Sequence, residues 1–152
     1  MKRFLYSVLA LVMFVTACQE KTPSNVKSEP LSQVDPAKGR ALFEAFNAHN
    51  WQKMADLYAP DAVFLDPALG AEPVHQSKDS IVAKYTALQS ICPDITDSLV
   101  GVWACDTNKL VAEFVSKGTF PDGSSMRLPI VSILTFRNGL IVSDRTYYDN
   151  FE

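Results

Sequence analysis

Residues 134–149 read LTFRNGLIVSDRTYYD and place a tight turn, Asn138-Gly139, between two β-rich runs. Asn-Gly in this setting is a strong hairpin signal, because both residues accept the positive φ that a two-residue turn requires. The chain before it repeats the pattern, with further turns at 106–108 and 121–123. Four long strands are therefore predicted, over about 95–104, 109–119, 126–137 and 140–149.

The chain before these strands carries helical periodicity instead. Asp35-Pro36 predicts a helix start, since Asp caps a first turn and Pro suits its geometry. Ser77 predicts the cap of a third helix in the same way. The predicted apolar faces of the three helices are Ala41, Leu42, Ala45, Phe46 and His49; Trp51, Met54, Leu57 and Tyr58; and Ile81, Tyr85, Leu88 and Ile91.

A short strand at 62–66, closed by Asp66-Pro67, separates the second helix from a loop over 68–76 and the third helix. The element order is thus helix, helix, strand, helix and then four strands (α-α-β-α-β-β-β-β). Helices segregated from a mostly antiparallel sheet predict the α+β class for residues 36–152.

The chain start has the proportions of a cleavable secretion signal. Two charged residues precede an apolar run at 4–15, which is shorter than the roughly 20 residues of a membrane span. The following Val15-Thr16-Ala17-Cys18 resembles the lipobox of bacterial lipoproteins. That resemblance implies a signal peptide at 1–17 and diacylglycerol on the Cys18 thiol, with a further acyl chain such as palmitate on its amine. Several acyl chains give stable membrane anchoring.

Residues 18–35 read as the lipidated cysteine and a polar, disordered tether, since they contain two prolines and no apolar periodicity. Gln19 is not the Asp that the lipoprotein sorting rule associates with inner-membrane retention. We therefore expect a bacterial envelope location, lipid-anchored, and in a Gram-negative host the outer membrane facing the periplasm.

Charge and composition exclude several classes of function. The formal net charge is −3, and loss of Lys2 and Arg3 with the signal takes it to −5, so nucleic acid is not an expected partner. Cys92 and Cys105 are expected to be free and largely buried, because an extended strand between them holds them far apart. The cysteines and the two histidines do not have zinc-site spacing, and neither a phosphate loop nor a nucleophile elbow occurs. We expect no metal and no cofactor.

Three stretches together resemble the nuclear transport factor 2-like superfamily, and within it the SnoaL-like polyketide cyclases and ketosteroid isomerases. They are residues 46–62 (FNAHNWQKMADLYAPDA), residues 64–67 (FLDP) and the C-terminal run from TFRNGLI at 135–141 to RTYYD at 145–149. The resemblance covers residues 36–152. It implies a cone, in which a curved sheet wraps around the N-terminal helices and leaves an apolar pocket of the kind that holds small molecules.

Asp66 is the first candidate site residue. It matches the position of the proton-shuttling carboxylate of ketosteroid isomerases, and desolvation in an apolar pocket is expected to raise its pKa, as a general base needs. The alternative is an ordinary Asp-Pro turn whose side chain caps backbone amides. Leu42 and Ser132 stand where that family carries its tyrosine and its acid, which argues against steroid isomerase chemistry.

Arg145, Tyr147 and Asp149 alternate along the last strand and share one face. The resemblance to the cyclases and the related epoxide hydrolases implies acid–base work at Asp149, with an Arg145–Asp149 pair orienting a water. The epoxide hydrolases also pair the Arg with a second Asp on a neighbouring strand, a place that Glu113 approximates. The alternative is a structural ion pair. His75 is placed near the pocket mouth. The expected pocket residues are Leu42, Phe46, Trp51, Tyr58, Phe64, Phe114, Tyr147 and His75.

Three functions remain open. The first is an envelope-anchored lipoprotein that binds a small apolar or amphiphilic molecule without turnover. The second is a cofactor-free enzyme, either an isomerase or cyclase using Asp66, or a hydrolase using Arg145 and Asp149. The third is a dimerising envelope adaptor with a filled cone, since the resemblance implies homodimers formed through the outer sheet face.

Overall fold

Each α-helix of the domain begins at a side chain that caps its first turn. In the computed structural model, which describes residues 33–149, Asp35 accepts a hydrogen bond from Ala37 N at 2.8 Å. Ser77 Oγ accepts one from Ser80 N at 3.1 Å. Both predicted caps are confirmed. The signal at 1–17, Cys18 and most of the tether lie outside the described residues.

The described chain contains three α-helices and six strands. The helices are α1 (Pro36–Asn47), α2 (Trp51–Ala55) and α3 (Lys78–Ile91), with a 3₁₀ helix at Pro67–Leu69. The strands are β1 (Tyr58–Leu65), β2 (Val74–Gln76), β3 (Thr96–Ala104), β4 (Lys109–Thr119), β5 (Ser125–Arg137) and β6 (Leu140–Tyr147). The predicted α+β class and the order of its elements are confirmed.

One mixed sheet holds all six strands in the order β2-β1-β6-β5-β4-β3. Only β1 and β6 pair in parallel, and every other pair is antiparallel. The sheet is open and curled, and we call the side that faces α1 and α3 its inner face. Side chains of the inner face alternate with outward-facing ones along each strand.

Helix α1 packs closely against the sheet. A Cβ at Gly39 would come within 2.9 Å of Val102 on β3, so only glycine allows this approach. Phe43 meets Phe114 of β4 edge to face, with ring centroids 4.8 Å apart. Both rings are buried, and burying such side chains contributes roughly 1.5–3 kcal/mol each. This packing fixes one wall of the space beneath the sheet.

The turn between α1 and α2 is clamped to α3 and β3 by His49. Its Nε2 donates to Ile95 O at 2.7 Å, and its Nδ1 accepts from Gln89 Nε2 at 2.8 Å. Gln89 Oε1 in turn accepts from Trp51 Nε1 at 2.9 Å. His49 has a φ of 50°, a left-handed conformation that this network holds in place.

Several local predictions were wrong. Tyr58 begins β1 rather than ending a helix, because its backbone pairs with Ile141 of β6 and its side chain is fully buried. β2 lies inside the predicted loop, since three residues at a sheet edge leave no periodicity to detect. Ile91 is 57% exposed, at the end of α3, and Cys105 is exposed, whereas Cys92 is buried as expected; both thiols are free.

Within residues 33–149, no helix combines the length and the apolar character needed to cross a bilayer.

Candidate functional site

A cavity of about 520 Å³ lies between the inner face of the sheet and helices α1 and α3. Its walls are mainly apolar and aromatic, as is usual for small-molecule sites. The exposed lining residues Ala68, Ala87 and Ile91 mark its mouth. Leu42, Phe46, Tyr58 and Phe114 line it, as the sequence predicts.

Asp66 lies in the wall near this mouth, and three groups satisfy its carboxylate. Lys84 of α3 forms an ion pair with Oδ2. Tyr148 donates to Oδ1 at 3.0 Å, and Ala68 N donates to the same atom at 2.9 Å. The Asp-Pro turn and the position in the cavity, which the sequence left as alternatives, therefore occur together.

The expected rise in the Asp66 pKa is wrong. Burial does raise this pKa, but the Lys84 ammonium, the Ala68 amide and the Tyr148 hydroxyl lower it by more, and the net pKa lies below its usual value. The same contact acts in reverse on Tyr148, where burial and the Asp66 charge raise the pKa to about 12. Asp66 is thus an ionised carboxylate whose charge is compensated by the Lys84 ammonium.

A second carboxylate, Asp144 on β6, forms a buried network further along the sheet. Tyr58 OH donates to its Oδ2 at 2.7 Å, and Thr146 Oγ1 donates to its Oδ1 at 3.1 Å. Ser132 of β5 lies 2.7 Å from Thr146 and continues the chain. Burial raises the pKa of Asp144, and the two donated hydrogen bonds only partly oppose that rise. Burial and the Asp144 charge also raise the pKa of Tyr58.

A third carboxylate, Asp97 on β3, lines the cavity with 7% of its surface exposed. Burial raises its pKa to about 6, and the Ser116 hydroxyl opposite it on β4 offsets only part of that rise. Its Oδ1 is buried and has no hydrogen-bond partner among the described residues. A buried acceptor without a partner is costly, so this atom requires an explanation.

The prediction that Arg145 and Asp149 look into the pocket is wrong. Both are exposed and absent from the cavity lining, and Arg145 Nε donates instead to the exposed Tyr147 hydroxyl at 3.1 Å. Tyr147 is therefore not a pocket residue either. Glu113 is exposed as well.

A bulge in β6 explains this error. Thr135 pairs with Ser143 while Phe136 pairs with Ile141, so Val142 is an extra residue. Counted from the buried Ile141, a period of two would place residues 143, 145, 147 and 149 inside. The extra residue reverses the alternation and turns Asp144, Thr146 and Tyr148 inward.

Three other predicted pocket residues lie elsewhere. His75 is exposed on edge strand β2, where its ring contacts Asp61 O at 3.1 Å. Trp51 is buried against Tyr85, with stacked rings 5.6 Å apart, and Phe64 is buried against Tyr58 at 5.0 Å. Trp51 and Phe64 pack behind the residues that line the cavity and do not line it themselves.

Sequence reasoning missed Lys84 and Asp97, although each left a signal. Lys84 stands three residues after Ile81 and four before Leu88, so it shares the apolar face of α3. Asp97 alternates with Ile95 and Leu99 at the start of β3, where period two places all three on the inner face. A charged residue within an apolar pattern was the available clue in both cases.

Within residues 33–149, no three His, Cys, Asp or Glu side chains come together as a metal site would require. What the lining does supply is carboxylates in different protonation environments, one lysine and several hydroxyl groups. Such a set can orient a polar ligand group and exchange protons with it.

A curled sheet closing over helices and enclosing a lined cavity defines the nuclear transport factor 2-like class of fold. The family model of the SnoaL-like domain matches residues 39–144. The chain belongs to this SnoaL-like family. No protein of curated function matches the sequence.

Solved structures agree with this fold. A hypothetical protein of ketosteroid isomerase-like fold from Catenulispora acidiphila, in complex with trimethylamine, is 18% identical with a TM-score of 0.67, covering 76% of this chain and 87% of that one. IdmH of Streptomyces antibioticus, a candidate polyketide cyclase, is 24% identical with a TM-score of 0.66, covering 76% and 93%. The epoxide hydrolase/cyclase-like enzyme SalBIII of salinomycin pyran-ring formation is 14% identical with a TM-score of 0.66, covering 75% and 89%. At sequence identities this low, the similarity shows a shared fold and nothing about activity.

Proposed function

We propose that this chain is an envelope-anchored lipoprotein whose SnoaL-like domain binds a small amphiphilic molecule. The observation that carries the proposal is the cavity of about 520 Å³, within the range of small-molecule sites. Its apolar walls suit a hydrocarbon body, and its polar groups suit a single polar end. The trimethylamine complex of the Catenulispora protein supports a small ligand in this kind of fold.

Filling the cavity tests the binding proposal. Leu128 of β5 lines the cavity and is half-buried, so Leu128→Trp should occupy ligand space with little strain. Arg127→Trp, one residue earlier and exposed, is the matched control. Native mass spectrometry of the full chain, expressed in a bacterial envelope, should show a co-purifying molecule in the wild type and in Arg127→Trp, but not in Leu128→Trp. Equal retention in all three proteins would contradict the proposal.

Anchoring is proposed from the sequence alone, through the signal at 1–17 and the lipobox cysteine. Intact mass should show acyl chains on Cys18. Cys18→Ala should abolish the acylated mass, since the thiol that accepts the diacylglycerol is removed. An unmodified Cys18 in a membrane-free protein would reject the anchor.

A cofactor-free acid–base enzyme is the second candidate, and one observation favours it. Asp66 and Asp144 line the same cavity with pKa values shifted in opposite directions, a pattern that separates a base from an acid. Asp66 would remove a proton beside a carbonyl, and Asp144, whose pKa burial raises, would be the group that returns a proton to the resulting oxyanion. Deuterium incorporation into cyclohexanone in D₂O, followed by NMR, should be lost in Asp66→Asn if this holds. Equal rates in wild type and variant would exclude it.

We also propose a homodimer through the outer face of the sheet. Trp103 is 51% exposed, Tyr147 is 45% exposed, and Val131 between them is 37% exposed. Glu113 and Arg145 lie in the same patch with opposite charges, so two copies related by a two-fold axis would pair Glu113 of one with Arg145 of the other. Light scattering of the full chain in detergent should give a dimer mass. Arg145→Glu should lower this mass, and the double variant Arg145→Glu/Glu113→Arg should restore it; a monomeric wild type would rule the dimer out.

A further inference from the structure

Asp97 is held in the cavity wall by its backbone rather than by its side chain. Its N–H donates to Asn47 Oδ1 at 2.7 Å, and its carbonyl accepts from Asn47 Nδ2 at 2.9 Å. Asn47 ends helix α1, so it fixes the start of β3 against that helix. The carboxylate is thereby held at a fixed place on the cavity wall, and only 7% of the residue's surface is exposed.

Within residues 33–149, no cation lining the cavity is available to compensate the charge of this carboxylate. Oδ1 has no hydrogen-bond partner among residues 33–149, and the neighbouring Ser116 can supply only one hydroxyl. Lys84 is the one cation among the described lining residues, and its ammonium is already paired with Asp66. Rotation about χ2 exchanges the two oxygens of an aspartate at little cost, so either can serve a ligand.

The surroundings favour one kind of ligand group. Three carboxyls and one ammonium line the cavity, an excess of acid that disfavours an anionic ligand. Phe114 and Ile95 beside Asp97, together with Leu128 and Ile130, offer an apolar surface for a hydrocarbon body. A hydroxyl could donate one hydrogen bond, but only a cation also compensates the buried charge.

We propose that Asp97 is the acceptor for the ammonium group of an amphiphilic amine that occupies this cavity. The inference rests on the proposed binding function and narrows it to a ligand class. The ammonium N–H donates to the Asp97 oxygen that rotation about χ2 turns toward the cavity, and the apolar part lies toward Phe114 and Ile130. Nothing is transferred and no bond is broken. Asp66 with Lys84, already neutral as a pair, flanks the entrance without competing for the cation.

A matched set of ligands tests the ligand class. Cyclohexylamine, cyclohexanol and cyclohexanecarboxylate share one ring and differ in charge and in hydrogen-bond donors. Titration calorimetry on the full chain in mild detergent at pH 7.5 should show cyclohexylamine binding about tenfold more tightly than cyclohexanol, since a charge-assisted hydrogen bond is roughly twice as strong as a neutral one. Cyclohexanecarboxylate should bind most weakly.

The variant Asp97→Asn removes the charge and keeps the shape. It should bring the affinities for cyclohexylamine and cyclohexanol to within about twofold of each other, as expected when the charge term is lost. Asp61→Asn, which changes an exposed carboxylate on β1, is the matched control and should keep the wild-type preference. If Asp97→Asn does not fold, the test is the binding of trimethylcyclohexylammonium to the wild-type chain. This ligand keeps the positive charge of cyclohexylamine but has no N–H group to donate to Asp97. It should then bind more weakly than cyclohexylamine.

The outcomes separate the two levels of the argument. Equal affinity for amine and alcohol in the wild type, an unchanged preference in Asp97→Asn, or a preference for the carboxylate overturns the assignment of Asp97 and leaves the binding function standing. Absence of binding by all three ring compounds, together with no co-purifying molecule, overturns both.

Discussion

Asp66 and Asp97 line the same cavity and are buried to nearly the same extent, yet their surroundings differ. Asp66 has an ammonium, a phenol and a backbone amide around it, whereas one oxygen of Asp97 has no hydrogen-bond partner in the part of the chain that the structure describes. The pKa of Asp66 is lowered and that of Asp97 is raised to about 6. Burial alone therefore does not decide the state of a carboxylate; the donors around it do. The satisfied site is built for stability, and the unsatisfied one is available to a ligand.

The largest effect is expected where the satisfied site is broken. Lys84→Met leaves Asp66 buried without its counterion and should lower the free energy of unfolding by about 3 kcal/mol, the usual cost of orphaning a buried charge. Urea denaturation at pH 7 measures it. Lys78→Met, which removes the exposed pair with Asp56, is the control and should cost much less, because solvent screens that pair. Similar losses in both variants would mean that the buried Lys84–Asp66 pair contributes no more to the free energy of unfolding than the exposed Lys78–Asp56 pair.

The pH dependence of the same pair has a defined sign. Because the folded-state pKa of Asp66 is below 3.8, its stabilising contribution is present above the unfolded pKa and is lost as the pH falls below about 4. Asp66→Asn in the Lys84→Met background should recover part of the lost stability at pH 7, since no unpaired charge remains. A double variant that is less stable than Lys84→Met would contradict this account.

Asp97 should behave in the opposite sense. Its folded pKa of about 6 exceeds the unfolded value of 3.8, so the folded state binds the extra proton and loses stability as the pH rises from about 4 to 6. Asp97→Asn should therefore stabilise the empty protein above pH 6 by up to roughly 3 kcal/mol, and hardly at all at pH 4. Thermal unfolding at pH 4 and pH 8 measures the difference. A destabilised Asn variant at pH 8 would show that the carboxylate has an internal partner.

The smallest effect concerns the hydroxyl of Tyr148. Tyr148→Phe removes one donor from Asp66 but leaves Lys84 and Ala68 N in place. The loss should be about 1 kcal/mol, as for a single hydrogen bond in a partly exposed site. Tyr147→Phe, at the neighbouring outward-facing residue, should cost less. Chemical denaturation of the two variants side by side tests whether the inward and outward tyrosines differ.

The fold could be predicted from the sequence because its signals were local. Asn138-Gly139 indicated the final hairpin, and Asp35 and Ser77 indicated helix starts. The strands are long enough that small errors in their predicted ends did not change the predicted fold class. The boundary at Tyr58 could not be found in the same way. The strand begins at Tyr58 because this residue pairs in parallel with Ile141 of β6, a contact between segments far apart in the chain.

The site was harder to predict than the fold, for one geometric reason. Asp66 was identified through its match to the carboxylate position of the ketosteroid isomerases, whereas Leu42 and Phe46 were identified because they lie on the predicted apolar face of α1. The charged residues of β6 were assigned to the wrong face because a single extra residue, Val142, shifts the alternation. Such a bulge depends on pairing with β5 and leaves no mark in the composition of β6 itself.

Because Val142 is an extra residue in β6, a change of one residue in the length of this strand would change which of its side chains line the cavity. Deleting Val142 while the Asn138-Gly139 turn keeps its register would rotate the rest of the strand by half a period. Asp144 and Thr146 would then face the solvent, and Arg145 and Tyr147 would enter the hollow. Two carboxyls and two cations would then line the cavity in place of three carboxyls and one ammonium, without any substitution. Relatives of one fold can thus favour ligands of different charge through a single insertion or deletion.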